Sequence, residues 1–89
     1  MDFITERNMI YACENDKMLA EITFPNIDDN VVDINHTFVD PSLRGQGVGQ
    51  KLLLLAYETI KQQGYKAIVT CPYAIKFFEN NPNYRDILK

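Results

Sequence analysis

Residues 44–49 read Arg44-Gly45-Gln46-Gly47-Val48-Gly49, three glycines at alternate positions behind an arginine. Before them lies an alternating apolar run, Val31 to Val39 (VVDINHTFV), which has the pattern of a strand. After them Val48, Leu52, Leu55, Ala56 and Ile60 recur at three- and four-residue steps. That spacing predicts an amphipathic helix over Val48 to Gln63, with Gly64 as its left-handed stop. The glycines therefore open a helix. The first N–H groups of a helix have no intrahelical acceptor, and together with the helix dipole they favour an anion. Glycine lets the backbone approach that anion closely, and the forked guanidinium of Arg44 suits phosphate. The physical reading is a pyrophosphate cradle. Two other phosphate loops do not fit it. A P-loop needs Gly-Lys followed by Ser or Thr, whereas Gly49 is followed by Gln50 and Lys51. A dinucleotide fingerprint needs a further glycine where Gln50 stands.

Outward from this loop the chain divides into a strand-rich half and a helical half. Asn8 to Cys13 (NMIYAC) and Met18 to Phe24 (MLAEITF) read as strands joined by the polar turn Glu14-Asn15-Asp16-Lys17. Pro25 to Asn30 is a second turn, and Val31 to Val39 completes an antiparallel meander. On that third strand Val32, Ile34, His36 and Phe38 share one face. Beyond the helix, Tyr65 to Thr70 is a strand. Pro72 then suits the first position of a second helix, in which Tyr73 and Phe77, and Ala74 and Phe78, pair at i,i+4. Pro82 to Lys89 adds one or two helical turns. The order β-β-β-α-β-α predicts an α/β (α+β) fold with a mixed central sheet and a parallel pair across the long helix.

Composition narrows the function. At 89 residues the chain is expected to form one domain, 1–89. A net charge of −3 argues against nucleic acid as a partner. His36 is the only histidine, and Cys13 and Cys71 are far apart, so no metal site is expected. Leu52 to Tyr57 is the longest apolar run, too short to span a membrane, and the first residues lack the pattern of a signal peptide. The expected setting is the cytoplasm, with reduced thiols. Cys13 is expected in the core. Exposed strand edges in a small sheet leave a monomer or a weak dimer as the expected states.

The segment Val39-Asp40-Pro41-Ser42-Leu43-Arg44-Gly45-Gln46-Gly47-Val48-Gly49 resembles the acetyl-CoA loop of the GNAT N-acetyltransferases, whose pattern is Gln/Arg-x-x-Gly-x-Gly/Ala after a strand and a turn. Arg44, Gly47 and Gly49 fill its fixed places. Cys71-Pro72-Tyr73, Pro82-Asn83-Tyr84 and the short length make the chain similar to small single-domain GNAT-like proteins of YjdJ or NATD type, over residues 9 to 88. The resemblance implies a minimal GNAT fold that binds acetyl-CoA as co-substrate, without a metal, and acetylates an unidentified amine acceptor. It assigns Phe38 and Val39 to the pantetheine arm, and Arg44, Gly45, Gln46, Gly47, Val48, Gly49 and Gln50 to the pyrophosphate. Tyr73 is grouped with these cofactor-binding residues.

The departures from the family pattern concern the acceptor and the chemistry. The turn from Cys13 to Met18 leaves no room for the two acceptor-binding helices of longer relatives. Where many relatives read Asn-x-x-Ala-x-x-Phe-Tyr, this chain reads Cys71-x-x-Ala74-x-x-Phe77-Phe78, so the tyrosine that protonates the CoA thiolate is a phenylalanine. Tyr73 and Tyr84 carry phenols that can replace it. Cys71, at the amino edge of the second helix, where thiol pKa values fall, is one catalytic candidate, as proton acceptor or as carrier of the acetyl group. His36 is the other, as a general base near neutral pH. The competing readings are a non-catalytic acyl-CoA-binding or interaction module and a phosphate or nucleotide binder unrelated to CoA.

Overall fold

The computed structural model describes residues 1–89. The chain runs β1 (Phe3–Glu6), β2 (Met9–Glu14), β3 (Lys17–Thr23), β4 (Asn26–Asp28), β5 (Val31–Ile34), β6 (His36–Val39), α1 (Val48–Gln62), β7 (Lys66–Val69) and α2 (Pro72–Asn80), with short 3-10 segments at Pro41–Leu43 and Pro82–Ile87. The strands form two sheets. One has the order β1-β2-β3-β6 and is antiparallel throughout; the other has the order β4-β5-β7, with β5 and β7 parallel.

Local chemistry explains most boundaries. The β2–β3 hairpin turns through Asn15 (φ 53°) and Asp16 (φ 64°), two consecutive left-handed residues of types that tolerate that conformation. Pro72 starts α2 at its first turn, where no N–H is needed. Strand β1 and strand β4 were not expected from the sequence: Phe3–Glu6 pairs with β2, and part of the predicted turn 25–30 pairs with β5. The tail closes the other sheet, since Leu88 forms a parallel bridge to Ala67 and the Lys89 N–H donates to the Ala67 carbonyl at 2.9 Å.

The largest difference from the sequence reading lies at Asn35. The run Val31 to Val39 is predicted as one strand, but it changes partners in the middle. Val31–Ile34 pairs with β7, whereas His36–Val39 pairs with β3. Asn35 is held at the crossing: the Thr23 hydroxyl donates to its Oδ1 at 2.6 Å, and its own N–H donates to the Thr23 carbonyl at 3.3 Å. The extra residue inverts the side-chain alternation. Val32 and Ile34 are fully buried, yet His36 and Phe38 are exposed, while Thr37 and Val39 turn inward. The shared face of Val32, Ile34, His36 and Phe38 therefore does not exist. Cys13 is exposed rather than in the core, because the alternation that buries Ile10 and Ala12 turns the next residue outward; the register shift there leaves Leu19 as an extra residue on β3, where Leu19 and Ala20 are buried in succession.

Helix α1 lies across the antiparallel sheet and buries Val48, Leu52, Leu53, Ala56 and Ile60. Leu53, not Leu55, completes the buried stripe. Ala74, Phe77 and Phe78 of α2 join the same core, which contains no buried polar or charged residue. Each fully buried Leu, Ile or Phe contributes about 1.5–3 kcal/mol.

Candidate functional site

The two sheets part where β6 leaves β5, since β6 is bonded to β3 and β7 to β5, with no ladder between β6 and β7. Within an antiparallel ladder, hydrogen-bonded residues alternate with residues whose backbone groups face the other way. The Asp40 N–H donates to the Leu19 carbonyl at 2.7 Å, and Phe38 lies opposite Glu21 in the same register. Phe38 thus directs its backbone to β3, whereas Thr37 and Val39 direct theirs to the unpaired edge of β6. A cleft of about 330 Å³ runs along that edge, walled by Thr37 and Val39 on one side and by Leu43, the glycine loop and Tyr73 at its end.

The loop is held by its own short-range bonds. The Asp40 carboxylate accepts from the Ser42 hydroxyl at 2.5 Å and the Ser42 N–H at 3.0 Å, and Lys17 lies 3.5 Å away. The Ser42 donors, and then Lys17, hold the Asp40 carboxyl below the usual aspartate range. The Gln46 side chain donates back to the Ser42 carbonyl at 3.4 Å. Gly45 (φ 84°) and Gly47 (φ 75°) are left-handed, and a Cβ at either position would meet no protein atom within 4 Å. These glycines are required by backbone conformation, and the space in front of them is open.

Gly47 caps α1 with no side-chain hydrogen bond. The first intrahelical bond is Lys51 N–H to the Gly47 carbonyl at 3.0 Å. The N–H groups of Val48, Gly49 and Gln50 consequently have no intrahelical acceptor, and Val48 and Gly49 line the cleft. Arg44 is exposed at the rim of the same cleft. Three backbone donors, the positive end of a helix dipole and one guanidinium together have the chemistry that suits a phosphate or pyrophosphate.

The structure gathers Val39, Arg44, Gly45, Gly47, Val48, Gly49 and Tyr73 at the cleft wall, with Gln46 and Gln50 beside them in the loop and first turn. It places Phe38 on the outer face of the sheet, away from the cleft. His36 is also outside: its Nε2 lies 3.3 Å from Glu21 Oε1, and its side chain is 53% exposed. Cys71 is buried at the amino end of α2, and its thiol donates to the Thr37 hydroxyl at 3.6 Å. Thr37 lines the cleft, so Cys71 communicates with it through one hydroxyl. Sequence reasoning missed Thr37; only the inversion at Asn35 turns it inward. Phe78 sits in the core, edge-on to Phe77, and Tyr84 packs against Tyr57 and Phe77 beneath the tail. Of the candidate phenols only Tyr73 reaches the cleft.

Comparison with known proteins bears on the family and the fold. Residues 9–87 match the GCN5-related N-acetyl-transferase family. The NMR solution structure of a GCN5-like protein from Staphylococcus aureus superposes with a TM-score of 0.81 at 34% identity, over 99% of this chain and 87% of that one. An acetyltransferase of the GNAT family from Staphylococcus aureus Mu50 superposes with a TM-score of 0.66 at 25% identity, over 82% of this chain and 50% of that one. Protein NATD1 of Bos taurus is 32% identical over 63 residues, 71% of this chain and 56% of the relative. The chain thus spans a little over half the length of the curated relatives it matches. With the family matched across residues 9–87 and a glycine-opened, uncapped helix standing where the two sheets part, the chain belongs to the GCN5-related N-acetyl-transferase family.

Proposed function

We propose that this protein binds acetyl-CoA in the cleft beside β6 and transfers the acetyl group to an amine. The observation that carries this reading is the uncapped amino end of α1, where the amides of Val48, Gly49 and Gln50 lack intrahelical acceptors next to Arg44. A pyrophosphate there satisfies them. The pantetheine arm then lies along the free edge of β6, bonded to the backbone of Thr37 and Val39. Its thioester ends near Thr37 and Cys71.

Transfer requires a neutral amine to attack the thioester carbon. The C–S bond then breaks, and the proton lost by the nitrogen ends on the CoA sulfur. The Cys71–Thr37 pair is the group best placed to relay that proton, because the thiol already bonds to a hydroxyl of the cleft wall. His36 faces Glu21 on the far side of the sheet and is not part of this relay. With Phe78 in the core, no tyrosine stands at the usual acid position.

Calorimetry with acetyl-CoA, CoA and ATP tests the ligand. Heat with the two CoA forms and none with ATP is expected; heat with ATP alone would assign a nucleotide site instead. Release of CoA thiol in the presence of an amine panel tests the relay. Cys71→Ala should lower turnover about a hundredfold and leave acetyl-CoA affinity within about twofold. His36→Ala should change neither by more than about twofold.

A further inference from the structure

Gly45, Gly47 and Gly49 differ in what makes them glycine. Gly45 and Gly47 have positive φ and open space in front of them. Gly49 lies in the first turn of α1 with helical backbone, where alanine is the better helix former. A Cβ there would stand 2.5 Å from Tyr73 Oη, 2.8 Å from its Cζ and 3.1 Å from its Cε2. The phenol of Tyr73 therefore rests on the Cα of Gly49, and its oxygen is the nearest atom to the missing methyl. Tyr73 sits in the first turn of α2, is 51% exposed, and forms a wall between the main cleft and a second hollow of about 200 Å³ lined by Lys76 and Asn80.

We infer that Gly49 and Tyr73 act as one unit: the absent Cβ seats the phenol at the amino end of α1, where its hydroxyl adds a side-chain donor to the free amides and fixes a pyrophosphate diester. This rests on the acetyl-CoA reading and extends it by naming what the third glycine is for. The chemistry is that of a neutral O–H donor to an anionic oxygen, which is stronger than a bond between neutral groups. Tyr73 is half-exposed and lines the cleft, which places its hydroxyl within reach of a ligand there.

The test is a double-mutant cycle read by calorimetry with CoA, alongside thermal melts. Tyr73→Phe keeps the ring and removes the donor; it should weaken CoA binding about tenfold with Tm unchanged. Gly49→Ala should weaken binding by a similar factor by displacing the phenol, while Tm stays the same or rises. In a Tyr73→Ala background Gly49→Ala should have no further effect on affinity, so the two losses do not add. With acetyl-CoA in turnover, Tyr73→Phe should raise KM and leave kcat unchanged. A full additional loss from Gly49→Ala in the Tyr73→Ala background would overturn the pairing, because the methyl group would then be blocking the ligand directly. Wild-type affinity in Tyr73→Phe would overturn the donor role. Absence of CoA binding by the wild-type protein would overturn the acetyl-CoA reading, and this inference with it.

Discussion

At its carboxyl end α1 is closed by Gly64, whose N–H donates to the Lys61 carbonyl at 3.0 Å while the Tyr65 N–H donates to the Ile60 carbonyl at 3.1 Å; at its amino end Gly47 offers no side chain, and the next three amides lack intrahelical partners. Both ends use a left-handed glycine. At one of them, that conformation lets the chain satisfy its own carbonyls in a Schellman motif. At the other it exposes donors to a cleft. The carboxyl end is secured further by Lys61, which pairs with Asp86 at 2.8 Å and donates to the Tyr57 hydroxyl at 3.1 Å, and by Tyr57, which donates to Asp86 at 2.8 Å. The same residue type thus does opposite work, and the difference lies in what its neighbours leave unpaired. The closed terminus satisfies its own carbonyls, and the open one leaves donors to be satisfied by something else.

Substitutions at the two ends should separate these roles. Gly47→Val is the most severe. A β-branched residue at φ 75° strains the backbone by about 1–3 kcal/mol and turns the amides away, so acetyl-CoA affinity in calorimetry should fall at least about a hundredfold and Tm should also drop. Arg44→Ala comes next, with about tenfold weaker binding, reduced sensitivity of the affinity to salt and an unchanged Tm. Gly64→Ala should do the reverse. It costs about 1 kcal/mol, or about 5 °C in Tm, because φ is 72° there, and it leaves acetyl-CoA affinity untouched. A loss of affinity at Gly64, or of stability at Arg44, would break the division between the ends.

The smallest effect concerns pH. The Lys61 ammonium, followed by the Tyr57 hydroxyl, lowers the Asp86 carboxyl below its ordinary value of 3.8, as the Ser42 donors lower Asp40. A carboxyl titrating lower in the folded state stabilises fully above its unfolded pKa, and that contribution is lost as pH falls through the lowered one. Tm should therefore decline on acidification below about pH 4, and Asp86→Asn should flatten that decline slightly, since the group is solvent-exposed. Lys61 is raised by the same partners, so its share persists below its ordinary value of 10.5 and disappears only in stronger alkali.

The glycine loop, the extent of α1 and its Gly64 stop were legible because each is encoded within a few adjacent residues. The same holds for the Asn15-Asp16 turn and for Pro72 at the start of α2. The division of Val31 to Val39 was not, because nothing local distinguishes a strand that keeps its partner from one that changes it. Asn35 acts through Thr23, twelve residues earlier, and through β7, which lies beyond α1. The consequences fall on the site: Thr37 replaces Phe38 at the cleft, and His36 is turned out to Glu21. Cys13 is a different case: with Ile10 and Ala12 buried, simple alternation along β2 already turns Cys13 outward. Cys71 was recognisable from its place before Pro72, but its bond to Thr37 depends on that same crossing.

The role proposed for the open end of α1 is to hold the pyrophosphate of acetyl-CoA. Amide chemical shifts recorded during titration of the labelled protein with CoA test it residue by residue. The largest movements are expected at Gly45, Gly47, Val48, Gly49 and Gln50, with Gly64 and Tyr65 at the closed end unmoved. Binding that leaves the amides of 45–50 in place, with the largest shifts elsewhere, would contradict it.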